Sequence, residues 1–315
     1  MKLVTFVEGD KGPRPGLVVD GGIIDLSTEG FKDSLAFLAA ASSVQADVAK
    51  SKPTIAMDKV KLLAPVAPPR IFGIGVNYAE HALESKTETQ AVPTVFIVLS
   101  SSVVGPDADV ILPRASVKVD YEAELAVVIG KPGYQVPAAK AMEHVFGYTI
   151  MNDMTGNAMR SEDRVHYYAL YASEADSTIV ERREQHLSYA ARYKGSDGFG
   201  PMGPWLVTRD SILDPGALDV TCKMGDEVIA EDSTRYLTYS VAEILAYISR
   251  YQTLEPGDII SMGTAFKSKP GAARSLHGAD LQRVDGPVSV EITGLGTLCT
   301  PVKRRQMALG EWRLR

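Results

Sequence analysis

Acidic residues alternate along a strand-like segment in the middle of the chain. Asp120, Glu122 and Glu124 are separated by Tyr121 and Ala123, and the purely apolar stretch LAVVI follows. In an extended strand, alternate side chains face the same side, so we expect the three carboxylates to project together. The Cα atoms of Glu122 and Glu124 would lie about 6.5–7 Å apart, a span that one oxygen-binding cation can bridge. The alternative is a solvated acidic face on an edge strand.

A third carboxylate follows another strand-like stretch, FGYTIMND, which ends in Asn152 and Asp153. If this strand end lies beside the acidic segment, Asp153 completes a site made only of carboxylates. Such a site suits Mg²⁺, Mn²⁺ or Ca²⁺ and not Zn²⁺. Taken alone, an Asn-Asp pair is also typical of turns.

The helix-like segment NYAEHALES carries His81 and Glu84 three residues apart, so both lie on one helical surface. A carboxylate that orients an imidazole gives a general base. The alternative is an ordinary exposed helix pair.

Two later segments carry further polar candidates. Lys194 opens the Gly- and Pro-rich stretch KGSDGFGPMGPW, where it could bind an anionic substrate or donate a proton. Gly263 and Thr264 end the strand-like stretch DIISMGT, and a backbone N–H with a hydroxyl there could hold a carboxylate. The alternative for Lys194 is an ordinary solvated side chain.

Composition and missing motifs exclude several classes of protein. Gly73-x-Gly75 is followed by Tyr78 where a dinucleotide fingerprint requires glycine, and no G-x-S-x-G elbow is present. A net charge of -6 without a long basic run argues against nucleic acid as a partner. Cys222 and Cys299 lie far apart and outside metal-binding spacings, which predicts a cytoplasmic protein. No apolar run is long enough to span a membrane, so we expect no membrane association.

The 315 residues are sufficient for a small domain and a larger catalytic one. Residues 3–26 have the pattern of short strands with tight turns, and residues 30–50 have helical spacing. The three prolines between residues 65 and 69 favour extended chain and mark a boundary. We predict three segments: a small N-terminal α/β domain at 1–65, a catalytic domain at 66–305, and a tail at 306–315.

Beyond the boundary, strand-like runs are separated by turns and not by regular helices, so the pattern is not βαβ. The fold class predicted is α+β, mainly β. One helix is expected to begin after Ser240, with Glu243 completing a capping box. Residues 155–193 are polar and are predicted to form a partly helical insertion or lid.

The chain resembles the fumarylacetoacetate hydrolase family over residues 65–302. The resemblance is carried by six motifs in order along the chain: NYAEH, PTVF, DYEAELAVVIGK, GYTIMND, KGSDGFGPMGPW and LEPGDIISMGT. It implies the mixed β-roll of the family's C-terminal catalytic domain, usually a homodimer, with one divalent cation, Mg²⁺ or else Mn²⁺ or Ca²⁺. The substrates implied are 2-oxo acids and 1,3-dicarbonyls.

The resemblance assigns roles to individual residues. It implies Glu122, Glu124 and Asp153 as metal ligands, His81 and Glu84 as the water-activating pair, and Lys194 as the active-site lysine. Substrate contacts are expected from four further residues: Tyr78, Arg160, Gly263 and Thr264.

Three positions depart from the family pattern: Val98 and Asn157 replace a lysine and an arginine, and Ala265 replaces a proline. Arg160 is the candidate to substitute for the missing arginine. We therefore expect a metal-dependent hydrolase that cleaves a carbon–carbon bond in a 1,3-dicarbonyl or 2,4-dioxo acid. The alternatives are a 2-oxo acid decarboxylase or isomerase on the same metal site, and a non-catalytic ligand-binding relative.

Overall fold

The computed structural model describes residues 1–87, 91–112, 118–265, 267, 280–283 and 286–304. The tail predicted at 306–315 lies outside these residues. The helices are α1 (Ser34–Ala39), α2 (Ser42–Val48), α3 (Ala79–Glu84), α4 (Ala138–Ala141), α5 (Asn157–Glu162), α6 (Ala191–Gly195) and α7 (Val241–Ser249). No helix in the described part of the chain is both long enough and apolar enough to cross a membrane.

Strands account for most of the regular structure. They are β1 (Lys2–Val7), β2 (Arg14–Val19), β3 (Gly22–Asp25), β4 (Ile55–Ala56), β5 (Lys61–Leu63), β6 (Ile71–Gly75), β7 (Thr94–Val98), β8 (Val103–Val104), β9 (Val110–Leu112), β10 (Val119–Asp120), β11 (Ala123–Ile129), β12 (Val145–Asn152), β13 (Thr155–Gly156), β14 (Arg164–Ala172), β15 (Val180–Ser188), β16 (Gly200–Thr208), β17 (Asp219–Met224), β18 (Glu227–Ser233), β19 (Ile259–Thr264), β20 (Val288–Ile292), β21 (Gly296–Thr300) and β22 (Val302–Arg304).

The largest sheet in the described residues has 12 strands, with a central order β4-β3-β2-β1-β16-β12-β11-β19-β6-β7. Its pairing is mixed, because β19 runs parallel to β6 while β11 and β12 are antiparallel to their neighbours. A four-stranded sheet, β18-β17-β20-β21, packs against it. The predicted fold class, mainly β with a mixed sheet, is confirmed.

The N-terminal strands continue the catalytic sheet. Lys2 and Leu3 of β1 pair with Val207 and Leu206 of β16, so the leading segment adds strands to the same sheet. The helical spacing of residues 30–50 corresponds to two short helices, α1 and α2. The side chain of Asp33 begins α1 by accepting a hydrogen bond from the Ala36 amide at 2.7 Å.

Strand β11 is buried along its whole length, as its apolar sequence indicates. Leu125 and Val127 face a core shared with the four-stranded sheet and α7, whereas Ala126 and Val128 face a second core that includes Phe37 of α1. This division follows the alternation of side chains in a strand. The strand that carries Glu124 is therefore fixed from both sides.

Helix α7 begins at the predicted position. The Ser240 side chain accepts a hydrogen bond from the Glu243 amide, and the Glu243 carboxylate accepts one from the Ser240 amide. This capping box satisfies two backbone donors that the first helical turn would otherwise leave unpaired.

The segment predicted as a partly helical insertion is mostly a β-hairpin. Helix α5 is short, and β14 and β15 pair along nine residues each, from Arg164 with Ser188 to Ala172 with Val180. Most of its side chains are exposed, although several are apolar or aromatic. Sequence reasoning missed the hairpin because exposed strands have no buried face and so lack a clear polar–apolar alternation.

Candidate active site

The acidic residues lie between two strand pairs, β11–β12 and β10–β13. Strand β11 pairs with β12 up to Ala123 and Asn152, and β10 pairs with β13 from Asp120 and Thr155 onward. Between them, the Glu122 amide donates to Asn152 Oδ1 and the Asp153 amide donates to the Glu122 carbonyl oxygen, each at 3.0 Å. These two hydrogen bonds hold the unpaired stretches together and bring the carboxylates of Glu122 and Asp153 to one place.

Glu122, Glu124 and Asp153 each offer a carboxylate oxygen, and the three oxygens lie within 4.8 Å of one another. Asp120 is not part of this cluster, although the alternation along the chain placed it on the same face. The strand is interrupted at Tyr121 and Glu122, and Asp120 instead contacts Lys118 at 3.1 Å and accepts a hydrogen bond from Asn157. The acidic face therefore consists of two glutamates from this segment and one aspartate from the next.

Lys194 lies among these carboxylates on α6. Its Nζ atom is 2.6 Å from Asp153 Oδ2, 3.1 Å from Glu122 Oε2 and 2.8 Å from Thr155 Oγ1. The ammonium also lies over the ring of Phe96, 5.1 Å from its centroid. Lys194 is thus a buried cation that is held by two of the three candidate ligands.

The protonation of the cluster follows from this arrangement. Burial raises the pKa of Glu124, and the negative charges of Asp153 and Glu122 raise it further. Burial also raises the pKa of Asp153, despite the nearby ammonium. Burial opposes the charged form of Glu122, but the charge of Lys194 and the hydrogen bond from Thr155 outweigh it and lower the pKa of Glu122. Burial likewise opposes the charged form of Lys194, but the charges of Asp153, Glu122 and Glu124 outweigh it and raise the pKa of Lys194.

The cluster fits a divalent cation on two grounds. When all three carboxylates are ionised, they exceed the charge of the Lys194 ammonium by two, an excess that a divalent ion would neutralise. Within the described residues, the buried Asp153 Oδ1 also has no hydrogen-bond partner. Oxygen ligands around Mg²⁺ or Ca²⁺, with bonds of about 2.1–2.4 Å, lie no more than about 4.2–4.8 Å apart. Glu122, Glu124 and Asp153 are therefore suited to hold a hard divalent ion.

A cavity of about 770 Å³ opens onto the cluster. Glu122, Glu124, Lys194 and His81 line it, and β7 and the end of β15 supply apolar wall residues. His81 is half-buried on α3. Burial lowers the pKa of His81, while the carboxylate of Glu122 raises it and the charge of Lys194 lowers it.

Glu84 lies at the exposed C-terminal end of α3 and is not among the residues that line the cavity. The charged groups that act on His81 across the cavity are those of Glu122, Lys194 and Arg160. The i, i+3 spacing correctly places His81 and Glu84 on one helix, but the role of Glu84 in orienting the imidazole stays a prediction.

The predicted substrate contacts lie in different environments. Thr264 and the exposed Arg160 line the cavity. Tyr78 does not: it is 1% exposed within the main core, and burial raises its pKa well above its ordinary value. The Gly263 amide donates to Glu124 Oε2 at 3.1 Å, so it positions a candidate ligand and is not free to hold a substrate carboxylate.

Gly263 has a φ of +96°, and an added Cβ would lie 3.0 Å from the Asn77 Cβ. Glycine is therefore required for the close approach that allows this hydrogen bond.

The structure shows the surroundings of all three departures from the family pattern. Val98 is buried in the second core and contributes nothing to the cavity wall, and Asn157 donates to Asp120 while also lining the cavity. Ala265 is buried in the main core, and its amide donates to the carbonyl oxygen of Ala123 at 2.9 Å. A proline at this position would lack that donor.

Sequence reasoning missed three residues that support the cluster. Thr155 donates to Glu122 Oε1 at 2.7 Å, Ser261 donates to Glu124 Oε2 at 2.5 Å, and Phe96 lies against the Lys194 ammonium. The signal for Ser261 was its polar side chain in the otherwise apolar stretch DIISM, because a buried hydroxyl needs a partner. Thr155 and Phe96 carried no comparable signal, since only the tertiary fold brings them to the site.

Comparison with known proteins identifies the family. A family profile described as fumarylacetoacetate (FAA) hydrolase, C-terminal, matches residues 70–303. A mitochondrial oxaloacetate tautomerase of Bos taurus is 33% identical over 315 aligned positions, which cover 96% of this chain and 91% of the relative.

Two solved structures are also similar along almost the whole chain. The fumarylacetoacetate hydrolase of Exiguobacterium antarcticum has a TM-score of 0.74 at 32% identity, covering 97% of this chain and 100% of that one. The maleylpyruvate hydrolase of Sphingobium sp. SYK-6, solved with manganese(II) and pyruvate, has a TM-score of 0.72 at 26% identity over the same shares. The chain belongs to the fumarylacetoacetate hydrolase family of divalent-metal-dependent enzymes.

Proposed function

We propose that this protein is a hydrolase that cleaves a carbon–carbon bond in a 2,4-dioxo acid or related 1,3-dicarbonyl, with Mg²⁺ or Mn²⁺ as the cofactor. The observation that carries the proposal is the half-buried imidazole of His81, which lines the same cavity as Glu122, Glu124 and Lys194. The similar maleylpyruvate hydrolase was solved with pyruvate, which is the three-carbon fragment that cleavage of an acylpyruvate would release.

The carboxylates, His81 and Lys194 have separate roles in this reaction. Glu122, Glu124 and Asp153 would hold a divalent cation, which would supply Lewis-acid polarisation of the oxo-acid oxygens. The imidazole of His81, whose pKa is lowered by burial, accepts a proton from a water molecule that attacks the distal carbonyl carbon. The Lys194 ammonium stabilises the negative charge that develops on the leaving enolate.

The proposed reaction needs only the substrate and one water molecule as reactants. The water oxygen bonds to the distal carbonyl carbon, and the bond from that carbon to the methylene carbon breaks. The electron pair stays on the methylene carbon as an enolate, which takes up one proton to become the methyl group of the 2-oxo acid product. The other product is a carboxylic acid that contains the water oxygen.

The second candidate is a tautomerase or decarboxylase that acts on oxaloacetate at the same cluster. It is favoured by the similarity to an oxaloacetate tautomerase along 96% of the chain and by the exposed position of Glu84. Interconversion of keto and enol forms moves a proton between oxygen and carbon, so it needs a group that accepts and returns that proton but no attacking water.

Product analysis in ¹⁸O-labelled water tests the proposal. With an acylpyruvate and Mg²⁺ or Mn²⁺, we expect pyruvate and a carboxylic acid that carries one ¹⁸O from the solvent. Enol-to-keto conversion of oxaloacetate without cleavage of any acylpyruvate would overturn the hydrolase assignment in favour of the tautomerase, and release of carbon dioxide would identify a decarboxylase.

Two variants refine the result. His81→Gln should lower the rate of hydrolysis by about 10²–10⁴-fold, the usual contribution of a general base, while cation affinity stays unchanged. His144→Gln is the matched control, because His144 lies outside the cavity and contacts the Lys131 carbonyl oxygen at 3.3 Å.

We also propose that the protein is a homodimer, which light scattering at the working concentration would test.

A further inference from the structure

The hairpin of β14 and β15 carries the other set of three potential metal ligands in the described residues. His166 pairs directly with His186 across the hairpin, and Glu184 lies two positions before His186 on β15. Residues two apart in a strand face the same side, and so do directly paired residues. The register of the hairpin therefore places two imidazoles and one carboxylate side by side on one face.

The ligand atoms of this set already converge. His166 Nε2 lies 2.9 Å and His186 Nε2 lies 3.5 Å from the same atom, Glu184 Oε1. The two rings are stacked, with centroids 4.7 Å apart and an angle of 18° between their planes. Ligands around a tetrahedral ion with bonds of about 2.0–2.1 Å lie about 3.3 Å apart, so small rotations of three exposed side chains would bring them around one ion.

We propose that His166, Glu184 and His186 form a second metal site that takes a transition metal such as Zn²⁺. Two imidazole nitrogens and one carboxylate oxygen suit Zn²⁺, Ni²⁺ or Cu²⁺, whereas Mg²⁺ prefers ligand sets made only of oxygen. With three protein ligands, a tetrahedral ion keeps its fourth position open to water. The two clusters of this chain thus differ in the class of cation they bind.

Arg164 opposes occupancy of the second site. Its Nε donates a hydrogen bond to His186 Nδ1 at 3.2 Å, which places the ring proton of a neutral imidazole on Nε2. A metal bound at Nε2 requires that nitrogen to be free of its proton, so the hydrogen bond from Arg164 must break first. Removal of Arg164 should therefore strengthen metal binding by removing both this hydrogen bond and a nearby positive charge.

The site lies beside the candidate active site. His186 and the next residues, Leu187, Ser188 and Tyr189, line the 770 Å³ cavity. A metal that links His166 to His186 would join the two strands of the hairpin at the rim of that cavity. We expect slower hydrogen exchange at the base of the hairpin when the metal is bound.

Calorimetric titration with Zn²⁺ tests the site, with the full-length protein first saturated with Mg²⁺ so that the oxygen-only cluster is occupied. We expect one Zn²⁺ per chain. His166→Ala and His186→Ala should each weaken binding by at least about tenfold, and Arg164→Ala should strengthen it. Gln185→Ala is the matched control, because Gln185 lies between two ligands in sequence but faces the opposite side of β15.

Electron paramagnetic resonance of Cu²⁺, added under the same conditions, provides a readout that is independent of affinity. We expect nitrogen hyperfine splitting in the wild-type protein and its loss in the double variant His166→Ala and His186→Ala. Zn²⁺ binding that the double variant leaves unchanged, or a Cu²⁺ spectrum without nitrogen coupling in the wild type, would overturn the proposal. Neither result depends on the reaction that the enzyme catalyses.

Discussion

Two clusters in this protein bring three potential metal ligands within the same 4.8 Å, but their surroundings differ. In the candidate active site, the side chains of Asp153 and Lys194 are 0% and 10% exposed, and hydrogen bonds from Thr155 and Ser261 support the carboxylates. On the hairpin, the side chains of His166 and Glu184 are 47% and 57% exposed. Similar ligand spacing therefore arises both in a rigid, buried site and in an adaptable, exposed one.

Burial determines how strongly each cluster destabilises the folded protein when no metal is bound. A buried carboxylate that lacks a counter-charge is strongly destabilising, so the inner cluster needs Lys194 or a cation. Exposed histidines and a glutamate are solvated without a metal, and the backbone ladder pairs the two strands of the hairpin whether or not a metal is bound. The inner cluster should therefore respond to substitution in both stability and activity, whereas the outer one should respond only in metal binding.

The largest effect is expected for Lys194→Met. In the absence of divalent cations, loss of the buried ammonium should lower the free energy of unfolding by about 3–5 kcal/mol, because three carboxylates lose their counter-charge. Saturating Mg²⁺ should restore much of this loss. Urea unfolding with and without Mg²⁺ provides the measurement.

Lys303→Met is the control for that experiment. Its ion pair with Asp109 is 2.6 Å long but exposed, so we expect a change below about 1 kcal/mol. Equal destabilisation of Lys194→Met with and without Mg²⁺ would mean that the cation does not bind beside the lysine.

Asp153→Asn should weaken Mg²⁺ binding and lower kcat/KM by more than about 100-fold, the upper end of what loss of an outer-shell partner costs. The amide removes a charged ligand but keeps the shape of the fully buried side chain. Calorimetry and a steady-state assay measure the two quantities. Asp163→Asn, at the Arg192 ion pair near the hairpin, serves as the comparison and should change neither.

Ser261→Ala should weaken Mg²⁺ binding by about tenfold, because Glu124 loses a hydrogen bond that fixes its carboxylate. Ser249→Ala is the matched control, since the hydroxyl of this buried serine donates to the Ala246 carbonyl oxygen and accepts from the Val136 amide, neither of which belongs to the cluster. If both variants bind Mg²⁺ as the wild type does, the orientation of Glu124 does not depend on Ser261.

Glu184→Gln should change the free energy of unfolding by less than about 0.5 kcal/mol in the absence of transition metals, as is usual for an exposed position. Glu124→Gln provides the contrast in the buried cluster, and chemical denaturation of both variants measures the difference. A large destabilisation by Glu184→Gln would show that the hairpin cluster is structural even without a metal.

The same contrast explains which features could be predicted from sequence. Strand β11 and Asp153 were predictable because an apolar run and an acid at a strand end are local signals. The separation of Asp120 from Glu122 was not, because it depends on where pairing with β12 stops and pairing with β13 begins. A pattern of alternating residues specifies a face only as long as the strand continues.

Tyr78 and the hairpin are two further features that could not be predicted from sequence. An aromatic residue before a helix has the same local sequence whether it faces a cavity or the core, and only packing against the core made Tyr78 inaccessible. The pairing of His166 with His186 depends on the register of two segments whose sequences have no buried face to define it. Both outcomes are set by tertiary contacts.

The pairing of β1 with β16 limits how this protein can be divided. Lys2 lies over the ring of Trp205, with Nζ 4.3 Å from the ring centroid, and β16 is in turn the neighbour of β12, which leads to Asp153. If residues 1–65 were removed, β16 would keep its pairing with β12 but lose β1. The unpaired backbone N–H and C=O groups of the new strand edge, together with exposed apolar side chains, would promote aggregation. The leading segment therefore supplies a neighbouring strand to β16, and a segment taken from a relative would have to match this strand edge as well as the boundary at residues 65–69.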